Sequence, residues 1–226
     1  MATQRSSSTG LVVRPLSRRD LAFAADLHSR CLPHGLFPQL GRRFLRRYYS
    51  TFVRSPWAVG LVAEAEGRPV GVLVGTIDSR AHYRFVVRKC WAPLMSAGVA
   101  SLAVRPGVAW WFLRTRGRRY ARGLARLAGW THRRKGPTTA RSGSVVREGV
   151  LSHAVVGEEA RGDGAGAALV SAFVAAARRR GTKRLRLLTH ASDGAAEFYG
   201  HLGWVVAGER TGFDGTTWTE LRFDIE

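Results

Sequence analysis

Fifteen consecutive residues, Val155-Val156-Gly157-Glu158-Glu159-Ala160-Arg161-Gly162-Asp163-Gly164-Ala165-Gly166-Ala167-Ala168-Leu169, leave this chain few folds to choose from. The apolar run Gly149–Val156 reads as a strand. It breaks at Gly157, and Gly164–Arg180, closed by Gly181, reads as a long helix. A strand that turns through glycines into a helix leaves the first N–H groups of that helix without partners, and the aligned peptide dipoles make that end positive. Such an end holds an anion, and glycines let a pyrophosphate approach the backbone without Cβ obstruction. Arg161 can add a charge-assisted contact. Two other phosphate-binding turns fit less well. No Gly-Lys-Ser/Thr follows, as a P-loop requires. Gly162-x-Gly164-x-x-Ala167 fits a dinucleotide-binding turn, but the acid expected about twenty positions on is missing, the next after Asp163 being Asp193.

Around this unit, strands and helices alternate. Leu11–Pro15 reads as a short strand, and Ser17 caps a helix with Asp20 in place of the usual Glu or Gln of a capping box. Phe23, Ala24, Leu27 and Cys31 keep an apolar face through that helix. After a Pro33–Pro38 turn, Leu40–Phe52 gives a second helix. It sets Phe44, Leu45, Tyr48, Tyr49 and Phe52 on one side and Arg42, Arg43, Arg46 and Arg47 on the other. Ala58–Ala65 and Val70–Ile77 are strands joined by Glu66-Gly67-Arg68-Pro69, a hairpin signal. Arg184–His190 is a strand and Asp193–Leu202 a short helix ended by Gly203. Trp204–Glu209 and Trp218–Ile225 are the last strands, with Phe213-Asp214-Gly215 as their turn. This order predicts an α/β (α+β mixed) fold. Its mixed, mostly antiparallel twisted sheet has about seven strands with helices on both faces, and the strand–helix–strand unit at 149–190 is a parallel crossover.

Arg161-Gly162-Asp163-Gly164-Ala165-Gly166 resembles the Arg/Gln-x-x-Gly-x-Gly/Ala acetyl-CoA motif of the GNAT superfamily of N-acetyltransferases. In that family a later helix carries an Asn-x-x-Ala-x-x-x-Tyr-x-x-x-Gly-Phe pattern. Here Ala195, Tyr199 and Gly203 match it in register, Trp204 replaces the Phe, and Ser192 stands where Asn is usual. The resemblance covers residues 149–204 closely and the two-helix amino-terminal third more loosely.

That resemblance implies acetyl-CoA as co-substrate, no metal, and an amine acceptor. The phosphates would sit on the N–H groups of Gly162, Asp163, Gly164, Ala165, Gly166 and Ala167 beside Arg161. Ala154, Val155 and Val156 would hold the pantetheine arm and help polarise the thioester carbonyl, and Ser192 would contribute one further cofactor contact. Tyr199 is the implied general acid for the departing thiolate. An ammonium with a pKa of about 10.4 is mostly protonated at neutral pH, so the acceptor needs a base. Glu148, thirteen residues before Arg161, is placed like the catalytic glutamate of the histone acetyltransferase branch. His153 and His190 are its rivals. The expected function is transfer of an acetyl or short acyl group from CoA to a primary amine. The alternative is a catalytically silent module of the same fold that binds acyl-CoA or an anionic membrane surface.

The family fold joins its third and fourth strands by a short turn, whereas here residues 79–147 intervene. From Ser79 to Arg147 there are sixteen Arg and Lys and no acidic residue, out of a net charge of +20 for the chain. Charge confined to one segment points to a local surface with its own partner. Trp91–Ala103 and Val108–Leu113 are apolar, whereas Arg114–Arg119 and His132–Lys135 are dense in charge. Tyr120, Leu124, Leu127 and Trp130 space like one helical face. Peripheral contact of 91–135 with an anionic membrane and a pocket for an anionic acceptor, such as an amino-sugar nucleotide, both fit this pattern. No nucleic-acid-binding signature accompanies the charge. A membrane span is interrupted by Pro93 and by Arg105-Pro106-Gly107. Cys31 and Cys90 lack metal-ligand spacing and read as reduced thiols, so the expected location is the cytoplasm, with membrane association through the insertion. The expected organisation is a tail at 1–10 and one acyltransferase domain at 11–226 carrying an Arg-rich helical insertion at about 79–147.

Overall fold

The computed structural model describes residues 10–33, 36–107, 110, 147–191, 194–212 and 215–225. The readings of the tail, of Ser192, of the Phe213–Asp214 turn and of nearly all of 108–146 therefore lie outside the described residues. Strand β1 is Val12–Pro15, followed by helices α1 (Leu21–Cys31), α2 (Leu36–Gln39) and α3 (Gly41–Arg54). Strands β2 (Ala58–Ala65) and β3 (Arg68–Thr76) lead into α4 (Ser79–Phe85) and α5 (Trp91–Ala103). Then come β4 (Glu148–Val156), α6 (Ala165–Arg179), β5 (Arg184–His190), α7 (Ala195–His201), β6 (Val205–Thr211) and β7 (Thr217–Asp224).

Seven strands form one sheet in the order β1-β2-β3-β4-β5-β7-β6, and every neighbouring pair is antiparallel except β4 and β5. The hairpin between β2 and β3 is tighter than expected. Glu66 and Gly67 both have positive φ, as a two-residue type I′ turn requires, and β3 begins at Arg68. Pro15 and Pro69 are tolerated at strand ends, where their missing N–H breaks no central ladder.

The alternating patterns of the strands bury both faces. On one face Leu61, Leu73, Leu151, Leu185 and Leu187 meet Leu169, Val170 and Phe173 of α6 and Tyr199 of α7. Gly75 makes room for α6 here, since a Cβ at that position would lie 2.6 Å from the Phe173 ring. On the other face Val62, Val72, Val74 and Val155 pack against Ala24, Leu27, Leu45, Tyr49 and Phe52 of α1 and α3. Asp20 ties the start of α1 to the sheet. It accepts from the Ser17 N–H at 2.8 Å and from both terminal nitrogens of Arg14, and Arg14 also reaches Glu64 of β2.

Two imidazoles, the buried His28 and the half-buried His153, sit between α1 and β4. His28 Nδ1 lies 2.9 Å from the Tyr49 hydroxyl, and its ring meets His153 edge-on at 4.7 Å. Burial pushes His28 down to about 4, and burial with the charge of His28 pushes His153 down to about 3. In the unfolded chain both titrate near 6.5. Below that pH the unfolded state takes up protons that the folded state refuses, so stability is full above it and falls as pH drops toward about 4. The melting temperature is expected to be flat near neutrality and to fall steeply through this window, and His28→Gln should make the fall shallower. An unchanged slope in that variant would show that His28 is not the group responsible.

Candidate active site

The parallel pair β4–β5 is paired only at its start. Glu148, Gly149 and Val150 face Arg184, Leu185 and Arg186, and beyond them the strands separate. β4 stays bonded to β3 as far as Val156↔Gly71, so the edge of β4 that faces β5 is left without a strand from Leu151 onward. The result is a fork open toward the carboxyl ends of both strands. A cavity of about 340 Å³ lies in it, lined by Val150, Leu151 and Ser152 of β4, Arg186, Leu187 and Leu188 of β5, Arg210 of β6 and Glu220 of β7.

β4 also carries a bulge. His153 pairs with Val74 and Leu151 with Gly75, so Ser152 has no partner across the ladder. A bulge bends its strand and re-aims the extra residue, and these irregularities cluster at functional sites. Beside the bulge, the hydroxyl of Tyr48 of α3 lies 3.1 Å from His153 Nε2. Burial pushes the Tyr48 and Tyr49 phenols well above the ordinary tyrosine value. Phe37 stacks on Tyr48 at 4.7 Å and closes this aromatic wall.

At the open end of the fork, Gly157 N–H donates to the Val70 carbonyl and a 3-10 turn spans Glu158–Ala160. The chain then passes through Gly162 at φ +90° and Gly164 at φ +82° before α6 begins at Ala165, one residue later than the sequence pattern suggests. The left-handed backbone at Gly164 is the reason for that difference. The first α6 bond runs from Ala168 N–H to the Gly164 carbonyl. Among the described residues, the N–H groups from Gly162 through Ala167 have no acceptor. A Cβ built on Gly162 or Gly164 would meet nothing within 4 Å. Arg161 and Asp163 are exposed at the rim, and Arg161 pairs loosely with Glu158 at 3.9 Å.

The second half of the sequence pattern folds back on the first. A Cβ at Gly166 would lie 3.3 Å from the Phe198 ring, so the first turn of α6 packs directly on α7. Tyr199 is 8% exposed, its ring edge-on to Phe198 and Trp204, and burial raises its phenol to about 12. Trp204 is not part of β6 as its neighbours suggest. It is buried beneath α7, and its indole N–H has no acceptor among the described residues.

Glu148 lies at the closed end of the fork with its carboxylate 2.8 Å from Arg186. Arg186 reaches Glu220 at 3.2 Å, and Glu220 also accepts from Arg210. Burial acts to raise the Glu220 carboxyl, but hydrogen bonds from Arg210 and Arg186 outweigh it and hold the group below its ordinary value. Glu220, not Glu148, lines the cavity. His190, at the far end of β5, packs edge-on against Trp218. Sequence reasoning missed Ser152, Tyr48, Arg186, Arg210 and Glu220. The usable signal was a charge inside an otherwise apolar run, as at Arg186 in Leu185–Leu188. Among the described residues no cluster of His, Cys, Asp and Glu could hold a metal ion.

Residues 130–225 match the family model of the acetyltransferase (GNAT) domain. No curated relative matches the sequence. Among solved structures, the chain is similar to the ribosomal-protein-alanine N-acetyltransferase of Brucella melitensis, with a TM-score of 0.56 at 15% identity over 95% of this chain and 99% of that one. It is similar to the ribosomal-protein-S18-alanine N-acetyltransferase of Escherichia coli, with a TM-score of 0.55 at 14% identity over 96% and 94%. A further acetyltransferase structure aligns with a TM-score of 0.58 at 19% identity over 95% and 100%. The fold is that of the GNAT acetyltransferases, and residues 130–225 carry their domain signature.

Proposed function

We propose that the protein is an acyl-CoA-dependent N-acyltransferase that moves an acetyl or other short acyl group from CoA to a primary amine. The observation that carries this reading is the row of unpartnered amides from Gly162 to Ala167, opening beside a forked sheet. A diphosphate satisfies such a row, with Arg161 adding charge at its rim and the glycines leaving the approach clear. The free edge of β4 at Ala154–Val156 offers main-chain groups to the pantetheine amides and places the thioester inside the fork. Ser192 adds the remaining cofactor contact.

The amine nitrogen attacks the thioester carbon, the carbon–sulfur bond breaks, the sulfur takes a proton from the Tyr199 hydroxyl, and the second proton that the nitrogen sheds restores the phenol. A phenol held near 12 stays protonated at neutral pH and is available as that donor. Glu148, held by Arg186 just outside the cavity lining, takes the proton lost by the ammonium through a water relay. His153, pushed down to about 3, stays neutral and serves as a hydrogen-bonding group rather than the base. Arg186 and Arg210 beside Glu220 in the cavity suit an acceptor that carries both an ammonium and an anionic group. Amino-sugar nucleotides have that chemistry, so an amino sugar or another anionic small molecule is the favoured acceptor class.

Calorimetry with acetyl-CoA, followed by thiol release over a panel of amines that includes amino-sugar nucleotides and alanine-terminated peptides, tests this. Saturable binding and release with at least one anionic amine are expected. Absence of any heat of binding would remove the reading altogether. Binding without thiol release across the panel would identify the catalytically silent module instead.

A further inference from the structure

The helical rod that leaves β3 has two unlike faces. It comprises α4, a wide π turn at Val86–Cys90 and α5. Pro93 has no N–H to return to the Lys89 carbonyl, which accounts for the irregular turn before it. Inward, Ala81 and Cys90 are buried, and Leu94, Ala97 and Leu102 pack on Leu40 and Phe44. The Ser101 hydroxyl donates to the Leu40 carbonyl and fixes the rod to the start of α3.

Outward, Tyr83, Val87, Trp91, Met95 and Val99 recur at every fourth residue, and all five are exposed. Trp91 is 58%, Met95 50% and Val99 60% exposed. Ala92, Ser96 and Ala100 fill the positions between them, and α5 has no charged residue. A surface helix ordinarily turns its polar side to water, and this one turns an apolar side. A contiguous exposed apolar patch marks an interaction surface. Its rim is basic. Arg80, Arg84, Arg88 and Lys89 are exposed, and none of them meets a carboxylate among the described residues.

We propose that this face docks the protein peripherally on an anionic lipid surface. Trp91, Met95 and Val99 enter the interface while Arg84, Arg88 and Lys89 meet headgroup phosphates. Charge decides among the occupants. A second copy would set two basic rims against each other. Residues 111–146 contain ten Arg and Lys and no acid, so they bring no counter-charge to this rim either. A bilayer supplies apolar depth and negative charge together. The sequence alone expected membrane contact within 91–135; the stripe seen here falls at the start of that range and extends back to Tyr83 and Val87. This inference is independent of acyl transfer, because none of these side chains lines the fork.

Flotation of the full chain with vesicles of phosphatidylcholine containing phosphatidylglycerol, against phosphatidylcholine alone, tests it. The parent protein is expected to float with the anionic vesicles and less so at high salt. The combined variant Trp91→Ser, Met95→Ser, Val99→Ser is expected to partition roughly a hundredfold more weakly. Its melting temperature and acetyl-CoA binding should equal those of the parent, which separates this outcome from any failure of the acyltransferase reading. Failure of the parent to float overturns the proposal, as does a variant that floats equally well through other parts of the chain. A parent that is dimeric without lipid, and made monomeric by the substitutions, would assign the face to a second copy and overturn it too.

Discussion

The Gly164→Glu variant is expected to bind acetyl-CoA at least about a hundredfold more weakly than the parent, equivalent to about 2.7 kcal/mol. Two effects add. Gly164 has φ +82°, where an L-residue costs about 1–2 kcal/mol. Because a Cβ there meets no protein atom within 4 Å, the new side chain enters the open cradle and brings a carboxylate to the place proposed for phosphate. Repulsion between like charges near a helix start then outweighs the favourable dipole. Gly164→Asn separates the two effects, since Asn tolerates the left-handed region and adds no charge. It should retain most of the binding. The measurements are calorimetry and the rise in melting temperature on adding acetyl-CoA. Equal affinity in the Glu variant would place the diphosphate elsewhere.

Tyr199→Phe is expected to lower kcat by about a hundredfold while leaving acetyl-CoA affinity and melting temperature nearly unchanged. The hydroxyl has no hydrogen-bond partner among the described residues, so its removal breaks no structural contact. The ring itself stays packed against Phe198 and Trp204. A phenol raised to about 12 keeps its proton at neutral and mildly alkaline pH. The loss should therefore be uniform with pH rather than confined to alkaline conditions. Unchanged turnover in the Phe variant would exclude the hydroxyl from proton donation.

These two substitutions touch the part of the site that was most legible in the residue order. Short-range constraints create it. The glycines at 162 and 164 adopt positive φ locally, and a helix must leave its first amides free wherever it starts. The seven strands and helices α1, α3, α6 and α7 were equally legible, because period-2 and period-3.6 apolar patterns register within a few residues. Boundaries moved where tertiary contacts intervened. Trp204 left its strand because α7 covers it, and the Pro33–Pro38 turn holds the short helix α2, whose Phe37 stacks on Tyr48.

What the residue order by itself determined is the glycine turn with free amides before α6, the crossover from β4 to β5 and the presence of Tyr199 on the following short helix. Only the tertiary structure decided the fork, the bulge at Ser152 and the linked charges Glu148, Arg186, Glu220 and Arg210. It also decided which side of α5 faces water. The reason is the range of the forces. Backbone sterics and periodicity act between near neighbours, whereas strand separation and charge pairing join residues as far apart as Glu148 and Glu220 once the sheet has assembled.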